Sequence, residues 1–369
     1  MTPSKILNSV SKEMSDLKNN VQENYFIPIK NEYACLGTFL FVLALFGAVI
    51  NIPCFLTLPA DSIFLRIIWR HFVLVVLLIP KLFYDSAALG SNINQTFSST
   101  NMFNVFAISL INTIWLYLFY FAASHTFAAH TLLLQLPMLF LTFWKLIKKD
   151  VTTYLELIGV ATCVFGAYWI TNEGATLDRR DIIIGNLAAF SSSIFGAIYV
   201  AVSSKIQDKS MPVSIYLVLM GGWVIILSLV FSAFAGENLV IISTDPRFGL
   251  FGLFSSVENI IYGFLGMGLM AGFSLYYFSI KSSEFISPMF VNTTFNTAPF
   301  LSQVTCYVLG VQGFPGSYTA YGGFWLFIGC TILSMTYQDH KDLITKYPLY
   351  SKQNKYSGLE MKDINPKVL

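Results

Sequence analysis

Arg70 stands about eight residues inside an apolar run that begins Ser62-Ile63-Phe64-Leu65 and continues through Trp69-Arg70-His71-Phe72. Eight residues at 1.5 Å each is about 12 Å of helix, close to mid-depth if the run crosses a bilayer. A cation at that depth is costly and persists where it faces a partner or a wet cavity. Two roles are open to it: an anchor for an anionic or carbonyl-rich solute, or a donor to helix carbonyls that fixes the fold. Arg66 lies one turn away on the same face. His71 and His130 are the mid-run groups that titrate near neutral pH, as proton relays or as ordinary interhelical donors. Asn292, Asn296, Pro299 and Gln303 fall at i, i+4, i+7 and i+11, a stripe about 60° wide on one helix face. Such a stripe lines a wet cavity or bonds neighbouring helices. Pro299 is expected to break that helix and free a carbonyl beside the amides. Pro137, with Gln135 and Thr131 nearby, is its counterpart earlier in the chain. Ser192, Gly196, Tyr199 and Ser203 make a weaker stripe. Trp69, Trp115, Tyr120 and Tyr276 are candidates for the walls around a ring-bearing solute, although most aromatics in so apolar a chain will face lipid or core.

Other chemistries are disfavoured. No Asp or Glu lies in the middle of an apolar run; Glu156, Glu173, Glu258 and Glu284 sit towards the ends. Exchange of a cation against protons normally needs an embedded carboxylate, so that reading loses ground. The four histidines (71, 125, 130, 340) have no metal spacing, and no nucleotide-binding loop is present. Neither a metal, a cofactor nor an enzymatic activity is expected. The five cysteines include no C-x-x-C pair and read as small packing residues. A net charge of +2 without a basic stripe argues against nucleic acid.

The elements that must hold these residues are membrane helices. Hydrophobic residues make up 55% of the chain and charged ones 11%, with a mean hydropathy of +0.63. A soluble protein of that balance would expose large apolar patches. Runs long enough to span a bilayer occur at about 34–55, 63–80, 103–122, 127–144, 153–171, 183–204, 213–235, 259–280, 285–309 and 318–337. The fold expected is an all-α membrane protein of about ten transmembrane helices. Residues 1–33 and 338–369 are polar tails, and the first span is expected to act as its own targeting signal. With the N-terminus inside, seventeen of the 22 Lys and Arg fall in inner segments and three in outer loops. That asymmetry places both termini in the cytoplasm. The sequon Asn94-Gln95-Thr96 pulls the other way. The loop 246–254 is apolar enough to lie in the membrane interface or to act as a lid.

Residues 34–171 also match residues 183–337 in order, across a linker at 172–182. Leu45-Phe46-Gly47-Ala48 aligns with Ile194-Phe195-Gly196-Ala197, Leu116-Tyr117 with Leu275-Tyr276, and Gly159 and Gly166 with Gly322 and Gly329. Five spans per repeat is odd, so the second repeat must be inverted, an arrangement typical of secondary transporters. The chain resembles the drug/metabolite transporter superfamily, in particular its EamA-type ten-helix carriers. The likeness rests on Trp69-Arg70-His71-Phe72 with Pro80, on Ala128-Ala129-His130 through Gln135-Leu136-Pro137, on Glu156-Leu157-Ile158-Gly159, and on Gly185-Asn186-Leu187 through Tyr199. It implies a central cavity lined mainly by helices 1–4 and 6–9, and alternating access. The family's acidic residue after the ninth helix is replaced here by Gln312-Gly313. The function expected is carriage of a small organic solute, in a lipid bilayer and with a homodimer allowed; the alternative is a non-transporting polytopic protein, a receptor or intramembrane enzyme.

Overall fold

The computed structural model describes residues 34–89, 93–135, 139–140, 142, 147, 154–173, 179–207, 211–237, 239–282, 285–286, 291 and 294–346. Side chains at 34, 93, 95, 179, 200, 204–207 and 334–346 fall outside that description. The described residues are overwhelmingly helical: α1 (Ala34–Thr57), α2 (Ile63–Leu89), α3 (Ser99–His125), α4 (Ala128–Leu133), α5 (Tyr154–Thr171), α6 (Arg179–Gln207), α7 (Val213–Phe234), α8 (Val257–Ser282), α9 (Ala298–Val308) and α10 (Ser317–Lys346). Short helical turns at Ile93–Thr96 and Leu250–Phe254 lie in the connections. Among the described residues, α1, α2, α3, α5, α6, α7 and α8 are each long and apolar enough to cross a membrane. The protein is an all-α, multi-pass membrane protein. Large apolar side chains such as Phe39, Phe83, Phe103, Leu187 and Phe324 stand exposed on the outside of the bundle, where lipid replaces water as their solvent.

The helices pack in pairs. α1 lies on α8, α2 on α7, α3 on α6, α4 on α9 and α5 on α10, with α2 also against α8. Glycines set how closely they approach, since the bilayer gives no hydrophobic drive between helices. On α5 and α10, a Cβ at Gly166 would stand 2.6 Å from the Gly322 carbonyl, and one at Gly329 would stand 2.9 Å from the Gly159 carbonyl. The backbones there touch. On α8, which is wound with the wider π repeat over Ile260–Phe278, Gly272 lets Arg70 and its carbonyl come against the helix.

Phe64 at the start of α2 stacks on Tyr117 of α3 at 4.8 Å and meets Phe231 near the end of α7 at 6.3 Å. The α1–α2 link, the end of α3 and the end of α7 therefore share one face of the bundle, here the link face. Residues 235–237 and 239–256 fold over it as a cap. Asp61 N donates to Arg247 O (3.0 Å), Trp69 Nε1 donates to Leu250 O (2.9 Å), and Ser62 Oγ donates to Glu237. The apolar loop 246–254 is thus a docked cap whose Leu253 is buried, with Phe251 and Phe254 exposed.

Two apolar runs are not continuous helices. α4 ends at Leu133, and α9 begins at Ala298 after a turn at 296–297. Pro299 occupies the first turn of α9. A proline fits there because the N–H it lacks would have no helical partner anyway. It opens α9, so Asn296 lies in the turn before that helix and Gln303 lies on the helix itself. Asn292 and Pro137 lie outside the described residues.

Candidate solute cavity

A cavity of about 290 Å³ opens between the helices, at the small end of the roughly 300–1,000 Å³ usual for ligand pockets. Its walls come from Ala48 and Asn51 of α1, Arg70 of α2, Trp115, Leu116 and Phe119 of α3, and Leu132, Leu133 and Gln135 at the end of α4. Leu275 of α8, Phe295, Asn296, Ala298 and Pro299 at the start of α9, and Leu326, Phe327 and Cys330 of α10 complete them. Both helix breaks therefore meet the cavity. Among the described residues Arg70 is the one formally charged residue in that lining.

Arg70 is 2% exposed. Its Nη1 donates to Tyr120 Oη (2.5 Å) and its Nη2 to the Ala271 carbonyl (2.7 Å). The guanidinium lies over the Tyr276 ring at 5.1 Å and near Tyr120 at 5.9 Å. Tyr120 passes the interaction on, donating to Asn51 Oδ1 at 2.7 Å. Among the described residues no carboxylate is bonded to this cation, and its Nε–H is buried without a partner. A lone buried ion carries a desolvation penalty of several kcal/mol. Aromatic faces recover part of it; an anion in the cavity would recover more. Asn296 Nδ2 is a second buried donor without a partner in the same lining.

The other expected site residues divide by position. Trp115 and Gln135 line the cavity, and Gln135 Nε2 donates to Ser192 Oγ of α6 at 3.2 Å. Tyr199 stacks on Trp115 at 5.3 Å, and Tyr276 Oη donates to Asn112 Oδ1 at 3.3 Å. These two support the wall residues from behind. His71 Nδ1 is bonded to its own helix at Ile67 O (2.9 Å), while Nε2 is buried without a partner. Arg66 is held by the Phe55 and Ala60 carbonyls, closing the free end of α1. Trp69 serves the cap.

Gln303 and His130 are engaged elsewhere. Gln303 Oε1 accepts from Ala129 N (2.9 Å), and its Nε2 donates to Gly313 O (2.9 Å). Gln312 Oε1 accepts from Ala128 N (2.9 Å). Phe127 precedes α4 and has no side-chain acceptor, so two glutamines from across the bundle satisfy amides that the helix start leaves free. Gln312 thus acts as a cap. His130 bonds Thr319 and Asn186 at the α3–α4 end of the bundle. Glu173 Oε2 in turn accepts from Thr319 N (3.0 Å), and three residues of these networks, Asn51, Asn112 and Glu173, were not singled out by sequence as bonding groups. An amide inside an apolar run, two residues before Pro53, was the available signal for Asn51.

No protein-family model matches the chain, and no curated protein matches it. Eleven chains of solved structures do. One of them, described only as "Crystal structure of protein", shares 14% identity over 81% of this chain and 97% of its own, with a TM-score of 0.50. At that identity the likeness is one of helical architecture alone.

Proposed function

We propose that this chain is a secondary carrier that moves a small organic anion across a membrane by alternating access. The observation that carries the reading is Arg70: a buried cation on the wall of a 290 Å³ cavity, with no carboxylate among the described residues bonded to it and one N–H unpartnered. A purely structural arginine would be expected to spend its donors on the fold, as Arg66 does.

Two opposed five-helix repeats are part of the same reading. Exchanging helices 1–5 with 6–10 turns the α1–α8 pair into α6–α3 and leaves α2–α7, α4–α9 and α5–α10 unchanged, which agrees with the observed pairing. The Gly159–Gly329 contact likewise maps onto Gly322–Gly166, and both contacts exist. Helix breaks beside a central cavity are the device by which transporters present backbone ends to a solute. The charge asymmetry of the loops supports cytoplasmic termini. The EamA-type resemblance fits all of these features.

The test is uptake of a panel of radiolabelled organic anions, zwitterions and cations into proteoliposomes. Saturable uptake of one or more anions is expected, reduced at least about tenfold in Arg70→Met. Uptake confined to cations, or none by well-folded protein, would overturn the proposal.

A further inference from the structure

α2 and α7 come from different halves of the chain and run antiparallel, and each brings a serine at its start to a carboxylate at the other's end. Ser62 Oγ, just before α2, donates to Glu237 Oε2, just past α7, on the link face. Ser214 Oγ, in the first turn of α7, donates to Asp85 Oδ2, four residues before the end of α2. Both serines are buried. The two bonds are one bond made twice. Ser214 follows Ser62 by 152 residues, within Ser214-Ile215-Tyr216-Leu217 and Ser62-Ile63-Phe64-Leu65, and Glu237 follows Asp85 by the same 152. Exchanging the halves therefore turns each bond into the other.

Each carboxylate lies 23 residues after the serine at the start of its own helix. At 1.5 Å per residue that is roughly 35 Å, a little more than the hydrocarbon core of a bilayer. The two bonds thus stand at opposite faces of the bundle, and the cavity residue Arg70 lies between them on α2. A carboxylate freed at either face meets headgroups and water, so each bond can open without leaving a bare charge in the middle of the membrane.

We propose that these bonds are a matched pair of gate latches, one at each face, and that each opens in turn as the cavity opens to its side. Rocking the halves apart at the link face draws the start of α2 away from the end of α7 and breaks Ser62–Glu237, while Ser214–Asp85 holds the far face shut. The return stroke does the reverse. Both bonds are made in this structure, so neither face is unlatched. Because the latches are alike, the bond lost in opening one face is matched by the bond lost in opening the other, and neither opening is favoured on that account. The surroundings differ: Lys81 also bonds Asp85 at 2.7 Å, and Ser62 Oγ accepts from Leu65 N at 3.1 Å in the first turn of α2. Glu237→Ala therefore cuts the link-face latch without disturbing that turn, and Ser214→Ala cuts the other without disturbing the ion pair. The purpose of the latches rests on the carrier reading; their detection needs no transported solute.

Cys330 lines the cavity, while Cys54, Cys163 and Cys306 are buried and Cys35 is exposed. The test uses the full chain with Cys35→Ser in sealed membrane vesicles of each orientation, labelled with a membrane-impermeant maleimide. The readout is the rate of Cys330 labelling from the link face divided by the rate from the opposite face. Loss of a hydrogen bond to a charged group is enough to shift a two-state equilibrium severalfold. Glu237→Ala is expected to raise the ratio at least about threefold and Ser214→Ala to lower it by a similar factor. The double variant, with both latches cut, is expected to return close to the unmodified protein. Ala298→Cys, elsewhere on the lining, is the second reporter should Cys330 prove unreactive. A tie that merely holds α2 to α7 has no preferred side, so a ratio that stays put, or moves the same way in both single variants, overturns the latches. So do two reporters that stay silent in every variant. Anion uptake with an unmoved ratio removes the latches alone; opposite shifts without uptake of any solute remove the carrier alone.

Discussion

At the residue scale the central question is whether Arg70 holds the fold or waits for a ligand, and its partners decide the consequence of removing it. Tyr120 Oη keeps its bond to Asn51 when the guanidinium is gone, and the Ala271 carbonyl belongs to a helix. No buried donor is therefore stranded by Arg70→Met. The change gives up two charge-assisted bonds worth roughly 1.5–3 kcal/mol each and relieves a desolvation cost of several kcal/mol. The melting temperature in detergent should stay within a few degrees of wild type while anion uptake is lost; a large fall in melting temperature with uptake retained would make Arg70 structural. Asn296→Leu, which removes the second unpartnered donor of the lining, should raise the KM for the anion about tenfold, the loss of one hydrogen bond to a charged group. An unchanged KM would place the solute elsewhere. Arg70 was legible in sequence because a cation in an apolar run has few explanations. Glu173 was not, because its burial depends on Thr319, 146 residues away, and on the close approach of Gly316.

At the scale of elements, the close helix pairs give the sharpest stability predictions. A Cβ on Gly322 would sit 2.5 Å from the Gly166 carbonyl, a backbone atom that cannot turn aside. Gly322→Ala should destabilise by about 1–3 kcal/mol, the usual cost of overpacking. Gly222 on α7, where an added Cβ meets nothing within 4 Å, should accept alanine with no loss. Thermal melting of the two variants side by side checks both expectations. The cap offers a pH prediction. Burial holds the Glu237 carboxyl above its ordinary range, against the opposing pull of its bond from Ser62. The folded cap thus binds that proton more readily than the unfolded chain does. The resulting stabilisation is whole at acid pH and is lost as pH rises through the raised value. Glu237→Gln should flatten that part of the pH–stability profile; an identical profile would refute it. Most helix positions could be read from hydropathy, with α1, α5 and α7 starting and ending within a few residues of the expected runs. The breaks at 134–135 and 296–297 do not show in hydropathy, because apolar composition continues through them; their signal in the sequence is the pair of expected helix-breaking residues, Pro137 and Pro299.

At the scale of the whole molecule, the pairing of helices carries the account. The proposed opposed repeats rest on loop charges, on ordered matches between the two halves and on helix pairs that are kept when the halves are exchanged. Composition could indicate the bilayer and order could suggest the repeat, but neither could say which amides line the cavity. That depended on where α9 begins, and on Gln303 being drawn away to the start of α4. The most direct measurement is counterflow. Proteoliposomes are loaded with the unlabelled anion found in the uptake panel, and entry of the labelled anion is followed from dilute external solution. An alternating-access carrier predicts a transient overshoot, with labelled solute accumulating inside above its external concentration before decaying, and none in Arg70→Met. Monotonic entry that never exceeds the external concentration, whatever the internal load, would contradict it.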